Sequence, residues 1–444
     1  MSARLFGTDG IRGVALKPPL DERTVTRLGA ALAAHLGERG LPVRILLAGD
    51  TRASTPVLAA WLGGACAAAG GEVHWAGVLP TPAVSHLLRE DGGFGAGVVV
   101  SASHNPAADN GIKLMTGAGS KWSVAEESAL EARLDRTMSA VGKALPTPEP
   151  HWQERTIKLL LDTLPGQPLA GMRVIVDAAN GAASPLAKRF FAGLGARVRL
   201  IHAAPDGANI NLHCGTLHPE ELAHEVRRDR ADAGVALDGD ADRAILVTDS
   251  GRVLNGDDAL LLWGRDLAQR EMLPRRVVVA TVMSNFGLEE AFHAANIRLV
   301  RCAVGDREVW DAMEREGAAL GGEQSGHIIC SHLSVTGDGL LTAGHVLAIA
   351  ARQGARLEAL ADLRRFPQIL LNLHVADPRP LAELPGVAGA IRGAEAKLAG
   401  HGRVFVRYSG TEPLLRVMVE AASEELARTL ASDVVAAARE EMGA

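Results

Sequence analysis

A strand–helix–strand rhythm recurs three times in this 444-residue chain and constrains its fold more than any other feature. VRILLAGD (43–50), an alanine-rich helix from Pro56 and GEVHWAG (71–77) form the first unit. The second is MRVIVDAANG (172–181), a helix over Leu186 to Leu194, and ARVRLIH (196–202). The third is RRVVVATVMSN (275–285), a helix from Gly287 to Ala295, and IRLVRCA (297–303). Nearly continuous apolar strands joined by short helices imply sheets covered on both faces. Past LRRFPQILLNLHV (363–375) the rhythm changes to a smaller unit with two strand-like runs, GRVFVRYSG and LLRVMVE. The expected fold is three α/β domains followed by a smaller C-terminal α+β domain. PTPEPHWQER (146–155) and DSGRVLNGDD (249–258) mark the other joints, which places the domains at 1–152, 153–253, 254–367 and 368–444.

Charge narrows the function. The chain carries a net charge of −6, with Lys and Arg scattered among Asp and Glu, which argues against nucleic acid as a partner and leaves room for a small anionic substrate. The first residues, MSARLFGTDGIRG, lack the apolar core of a signal peptide, and no apolar run is long enough to span a membrane, so the expected compartment is the cytoplasm. Cys66, Cys214, Cys302 and Cys330 form no CxxC pair and read as free core thiols. His213, Cys214 and His218 in HCGTLHPE raise the question of a metal, but the spacing fits no common zinc pattern and the segment reads as a structural loop.

Four stretches carry candidate chemistry. GAGVVVSASHNPAADNGIK (95–113) is a buried strand that breaks into a polar loop, the place where α/β proteins put their chemistry. Sequence physics alone does not choose between Ser101 and Ser103 there. In ALDGDADRAILVTD (236–249), Asp238, Asp240 and Asp242 alternate, so extended backbone turns all three carboxylates to one side and calls for a cation, the alternative being a polar turn between two strands. An EF-hand is excluded, because Arg243 stands at the sixth position of that pattern and Asp249 at the twelfth; with only oxygen ligands, Mg²⁺ completed by a phosphate oxygen fits better.

GRVFVRYSGTEPLLRVMVE (402–420) gathers Arg407, Ser409, Gly410 and Thr411 in one turn, with Arg416 as a second fork; this is either a phosphate clamp or a hairpin turn with a solvated arginine. ALGGEQSGHII (319–329) exposes Glu323, Gln324 and Ser325 between glycines, as sugar hydroxyl recognition requires, and His327 is either a proton shuttle or a satisfied structural residue. Arg12 in FGTDGIRG and Arg307 in VGDREV each read as an anion contact or as an ordinary domain or helix start. KLMTGAGSKW (113–122) lacks the GxxxxGK[ST] pattern of an ATP-type P-loop.

SASHNP, DGDADR, GEQSGH and RYSGTEP, in this order along the whole chain, resemble the four site motifs of the phosphohexomutase superfamily. FGTDGIRG, TVMSNFGLE and GGEQSGHII are most similar to its bacterial branch that works on glucosamine phosphate. The resemblance implies three related α/β domains with mixed sheets and a fourth domain, arranged as a heart around a central cleft. It selects Ser103 as a phosphoserine beside His104. It implies one Mg²⁺ per chain on Ser103, Asp238, Asp240 and Asp242, sugar recognition by Glu323 and Ser325, and a clamp of Arg407, Ser409, Gly410 and Thr411 on the nonreacting phosphate.

The implied reaction takes glucosamine 6-phosphate to glucosamine 1-phosphate, toward UDP-N-acetylglucosamine and peptidoglycan precursors. It runs through a 1,6-bisphosphate of glucosamine or glucose, as intermediate or activator. Arg12, Lys113 and Arg243 would neutralise charge, with Lys113 or His327 as proton acceptor. The expected partner is a small amino sugar phosphate, and a homodimer is the candidate assembly. Phosphomannomutase or phosphoglucomutase activity, a Mg²⁺-dependent phosphatase and a noncatalytic sugar-phosphate sensor are the alternatives.

Overall fold

The structure is a computed structural model and describes residues 5–7, 9–134, 137, 144–145, 147–375, 378–409 and 413–442. Its first sheet comprises β1 (Ile11–Val14), β2 (Arg44–Gly49), β3 (Glu72–Val78), β4 (Ala96–Val100) and β5 (Asp109–Thr116), in the order β1-β5-β4-β2-β3. The second comprises β6 (Arg173–Asp177), β7 (Arg197–Ile201), β8 (Ala233–Leu237), β9 (Ala244–Thr248) and β10 (Val253–Leu254), in the order β10-β9-β8-β6-β7. The third comprises β11 (Val277–Thr281), β12 (Arg298–Cys302), β13 (Leu320–Gly322) and β14 (Ile328–Cys330), in the order β12-β11-β13-β14.

These sheets share one wiring. β4 runs parallel to β2 and antiparallel to β5, β8 parallel to β6 and antiparallel to β9, and β13 parallel to β11 and antiparallel to β14. The mixed sheets and three related α/β domains expected from the sequence are therefore present. β4, β8, β9 and β11 are buried at every residue, which is why they read as unbroken apolar runs.

Helix ends follow local chemistry. Asp21 caps the helix Glu22–Glu38 by accepting from Thr24 N at 3.0 Å, and Asn255 with Asp258 forms a capping box on Gly256–Gln269. Among the described residues no helix is long and apolar enough to cross a membrane.

The chain divides into two compact units, residues 1–283 with 299–362, which hold the three α/β sheets, and residues 284–298 with 363–444. In the second, β15 (Gln368–His374), β16 (Arg403–Tyr408) and β17 (Leu414–Glu420) form an antiparallel sheet, β15-β17-β16, and the helices Pro385–Leu398 and Glu424–Met442 share its apolar core. The helix Phe286–Ala294, which the sequence rhythm assigns to the third α/β unit, belongs here because its start is tied to C-terminal residues. Asn285 Nδ2 donates to Phe366 O at 2.9 Å and to Glu420 Oε1 at 3.0 Å, and Phe286 N–H donates to Glu420 Oε2 at 3.2 Å.

His345, on the helix Gly339–Arg352, stacks on Trp263 with ring centroids 4.9 Å apart. Burial first, and Arg270 next, push its imidazole down to about 4. A folded-state value below the unfolded one, ~6.5, means that the unfolded chain binds more protons between those values, so stability falls as pH drops through that window and is insensitive to this residue above it. Thermal unfolding should therefore lose about 2 kcal/mol to His345 between pH 7 and 5. The loss should shrink in His345→Gln; an identical pH slope in that variant would remove the effect.

Candidate active site

The three site loops of the first unit occupy one topological position. Each follows the third strand of the shared wiring and leads into its antiparallel neighbour: residues 101–108 between β4 and β5, 238–243 between β8 and β9, and 323–327 between β13 and β14. Ligands bind beyond the carboxyl ends of strands in such sheets. Threefold use of the same connection is what brings sequence-distant motifs together.

Ser103 is 1% exposed and adopts a left-handed backbone, φ 52°, which a non-glycine residue holds only where its surroundings fix it. Arg52, fully buried at the end of β2, supplies that restraint: its guanidinium donates to the carbonyls of Ser103 (3.0 Å), Asn105 (2.8 Å), Asp109 (3.0 Å) and Pro106, and its Nε to Asp50 Oδ2 at 2.9 Å. Asn211 Nδ2 holds the Ser103 and Asn105 carbonyls from the other side, at 2.9 and 3.1 Å. Ser101 serves the backbone, its Oγ accepting from Ser103 N–H at 3.0 Å and donating to Asp50 Oδ2 at 2.6 Å. Ser103 Oγ is thereby left facing the carboxylates and donates to Asp238 Oδ2 at 2.6 Å, with His104 Nδ1 at 3.4 Å.

Asp238, Asp240 and Asp242 are all buried, and one oxygen from each lies within 4.8 Å of the others. Asp240 Oδ1 and Asp242 Oδ1 are buried with no hydrogen-bond partner among the described residues. Burial, with Asp242 and Asp240 adding to it, pushes Asp238 well above the usual carboxylate range. Unpartnered buried oxygens in an all-oxygen cluster fit a hard divalent cation. Gly239 allows the approach to the serine loop, since a Cβ there would come within 2.5 Å of Ser103 O.

Basic groups surround the cluster. Lys113 Nζ lies 2.8 Å from Asp240 Oδ2, 3.0 Å from Asp9 Oδ2 and 3.7 Å from Asp242 Oδ2. Burial disfavours its charge, but Asp240, Asp9 and Asp242 more than offset this and raise it well above an ordinary lysine. Thr81 Oγ1 donates to Asp240 Oδ2 at 2.5 Å. Arg12 pairs with Asp9, Arg243 Nε is 3.7 Å from Asp242 Oδ1, and Lys121 bridges Asp9 and Asp306.

His327 is fixed on both nitrogens: Gly337 N–H donates to Nε2 at 3.1 Å, which leaves the proton on Nδ1, 3.5 Å from Asp242 Oδ2. A Cβ on Gly337 would sit 2.6 Å from three ring atoms. Both sequence candidates for the proton acceptor are thus engaged, Lys113 by carboxylates that keep it charged and His327 by a backbone donor on its lone pair. His104 is the neutral imidazole beside Ser103, since burial, then Arg243 and Arg12, pushes it down to about 4.

Asp9, Arg12, His104, Asp242, Arg243, Asp306, Glu323 and His327 line a cavity of about 570 Å³. Glu323 Oε1 accepts from Gly305 N–H at 3.0 Å, and Ser325 Oγ is 3.4 Å from Glu323 Oε2. Arg307 is turned away from this group: its Nη2 donates to Trp122 O and Glu127 Oε1, both at 2.8 Å, and it lines a neighbouring cavity of about 680 Å³ that shares Asp306 and His327. In the second unit, Arg407 and Arg416 face one another across β16 and β17, so both side chains rise from one face, and Ser409 N–H donates to Leu414 O at 2.8 Å. Gly410 and Thr411 lie outside the described residues.

Family models of the phosphoglucomutase/phosphomannomutase family match all four parts of the chain: α/β/α domain I at residues 3–140, domain II at 154–251, domain III at 255–366 and the C-terminal domain at 370–437. The chain belongs to this family of phosphomutases, and so to the phosphohexomutase superfamily. Within it the chain groups with phosphoglucosamine mutases. The protein of that name from Solibacter usitatus is 47% identical over 100% of both chains, and that from Koribacter versatilis 45% identical over 99% of this chain and 97% of its own.

Solved structures agree in fold. A phosphoglucomutase/phosphomannomutase family protein from Burkholderia thailandensis superposes with TM-score 0.82 at 24% identity, covering 99% of this chain and 98% of its own. The N-acetylphosphoglucosamine mutase of Aspergillus fumigatus, solved in complex with GlcNAc-6P and magnesium, gives 0.64 at 19% identity over 99% of this chain and 96% of its own.

Proposed function

We propose that this phosphomutase interconverts glucosamine 6-phosphate and glucosamine 1-phosphate through a phosphorylated Ser103 and a glucosamine 1,6-bisphosphate. The observation that carries the reading is Ser103 Oγ, held on a restrained loop at 2.6 Å from a buried, undercompensated aspartate triplet. Full-length relatives named phosphoglucosamine mutase support the choice of sugar. Asp238, Asp240 and Asp242, with an oxygen on Ser103, would hold Mg²⁺, which when bound supplies positive charge to the transferring phosphoryl group.

The chain's own groups do the rest. The sugar hydroxyl attacks the phosphorus on Ser103; a bond from phosphorus to the sugar oxygen forms, and the bond to Ser103 Oγ breaks. Charge on the equatorial oxygens is met by Lys113, Arg12 and Arg243. His104 Nδ1 takes the hydroxyl proton and returns it to Ser103 Oγ, 3.4 Å away. A phosphoryl dianion on Ser103 raises the affinity of this imidazole for a proton.

The bisphosphate then turns, and its other phosphate returns to Ser103. Glu323 and Ser325 read the ring, and Arg407, Ser409, Gly410, Thr411 and Arg416 hold the phosphate that is not reacting. Arg307 contributes by fixing Glu127 and the Trp122 backbone at the neighbouring cavity. His104→Gln should lower kcat by 10²–10⁴-fold with little change in KM; an unchanged kcat would remove His104 as base. A coupled assay on glucosamine, glucose and mannose 6-phosphates tests the whole reading. Preference for the amino sugar is expected, and equal rates on all three would overturn the choice of substrate.

A further inference from the structure

A second group of ligating side chains lies in the domain that carries β6 to β10, on strand ends next to the one that leads into the aspartate triplet: Asp177 pairs across the sheet with Ala236. Asp177 at the end of β6, His202 after β7 and Cys214 in the loop that follows place one donor atom each within 4.8 Å of the others. Asp177 and Cys214 are 0% and 1% exposed.

Four details separate this cluster from an ordinary ion pair. His202 Nδ1 is 3.1 Å from Asp177 Oδ2, yet it is buried without a properly aligned hydrogen bond, as two donors aimed at a common third point would be. His202 Nε2 is 3.3 Å from Glu221 Oε2, the carboxylate partner that sets the ring of a metal-bound histidine with its other nitrogen toward the metal. The Cys214 thiol is free and buried, within reach of both. Asp177 spends one acceptor position per oxygen, on Ala179 N–H and on Gly215 N–H, each at 2.8 Å, and retains lone pairs for a further ligand.

We infer that Asp177, His202 and Cys214 form a site for a thiophilic divalent cation of the zinc class, with Glu221 orienting the histidine. A thiolate, an imidazole and a carboxylate suit zinc and its neighbours, and leave a fourth position for water. The hard-oxygen aspartate triplet has a different preference, so the two sites select different metals. Binding replaces the sulfur-bound proton of Cys214 and the Nδ1 proton that His202 holds toward Asp177 with the metal, while Nε2 keeps its proton toward Glu221, and it releases both displaced protons to solvent, so affinity rises with pH.

The site closes the loop over residues 203–219 onto β6. Through Asn211, that same loop holds the Ser103 and Asn105 carbonyls. The bound ion thus acts as a clasp on the support of the serine loop.

Cobalt(II) titration of the full-length, chelator-treated and reduced protein, held in saturating Mg²⁺, tests this. One equivalent should give the near-ultraviolet thiolate-to-cobalt band and be displaced by zinc. Cys214→Ser should abolish the band, Cys66→Ser should keep it, and Glu221→Gln should weaken binding about 10–100-fold. His202→Gln, which retains the thiol, should weaken binding at least as much. Absence of the band in the Mg²⁺-loaded protein, its persistence in Cys214→Ser, or unchanged affinity in His202→Gln overturns the inference.

Discussion

Ser103→Ala is expected to abolish mutase turnover, by about 10⁴-fold or more, while the chain stays folded and still binds sugar phosphate. The size follows from what the residue is: the atom that receives and gives up the phosphoryl group has no substitute among its neighbours. Ser101, the nearest hydroxyl in sequence, has its oxygen committed to Ser103 N–H and Asp50. Folding should survive because the Ser103 hydroxyl meets Asp238 and His104, whereas the loop's path is held through backbone carbonyls by Arg52 and Asn211. Alanine also removes the hydroxyl that donates to Asp238, so intact mass should show residue 103 unphosphorylated. Substantial residual turnover would mean that phosphate moves by another route.

Arg52→Lys should also slow turnover strongly although it preserves charge. One guanidinium reaches three carbonyls of the serine loop and that of Asp109 at the start of β5, as well as Asp50, and an ammonium cannot span that fan. Released carbonyls let Ser103 relax from its left-handed backbone, and a displacement of ~1 Å at a reacting atom is worth about 10²-fold in rate. The loss should appear in kcat with KM little altered. The melting temperature should also fall, because the lysine leaves buried carbonyls without donors. Wild-type kcat in a folded Arg52→Lys protein would show that the serine loop does not need this restraint.

How far the sequence revealed this site depends on how each residue acts. The aspartate triplet was legible because alternation in extended backbone is a local rule, and three like charges demand an explanation within a few residues. The strands were legible because burial on both faces leaves unbroken apolar runs. Ser103 against Ser101 was not decided by spacing, since both follow the same strand end; the difference lies in which hydroxyl the backbone consumes.

Arg52 and Asn211 were missed, though GDTRAS ends a strand in the first rhythm unit and so held a signal. Their partners are carbonyls some 50 and 100 residues away, and carbonyls carry no sequence label. Arg307 was legible as an arginine at a helix start, but its direction is set by Glu127 and Trp122 O on another element. The repeated position of the three site loops became visible only once strand order was known.

The most direct test follows the phosphate itself. Protein phosphorylated on Ser103 and isolated by intact mass should be mixed with stoichiometric glucosamine 6-phosphate and Mg²⁺, and the phosphorus followed by ³¹P resonance. The account predicts loss of the phosphoserine signal with its phosphate recovered in glucosamine 1,6-bisphosphate and then redistributed into glucosamine 1-phosphate. Recovery as inorganic phosphate, or a phosphoserine that sugar leaves untouched, would contradict it.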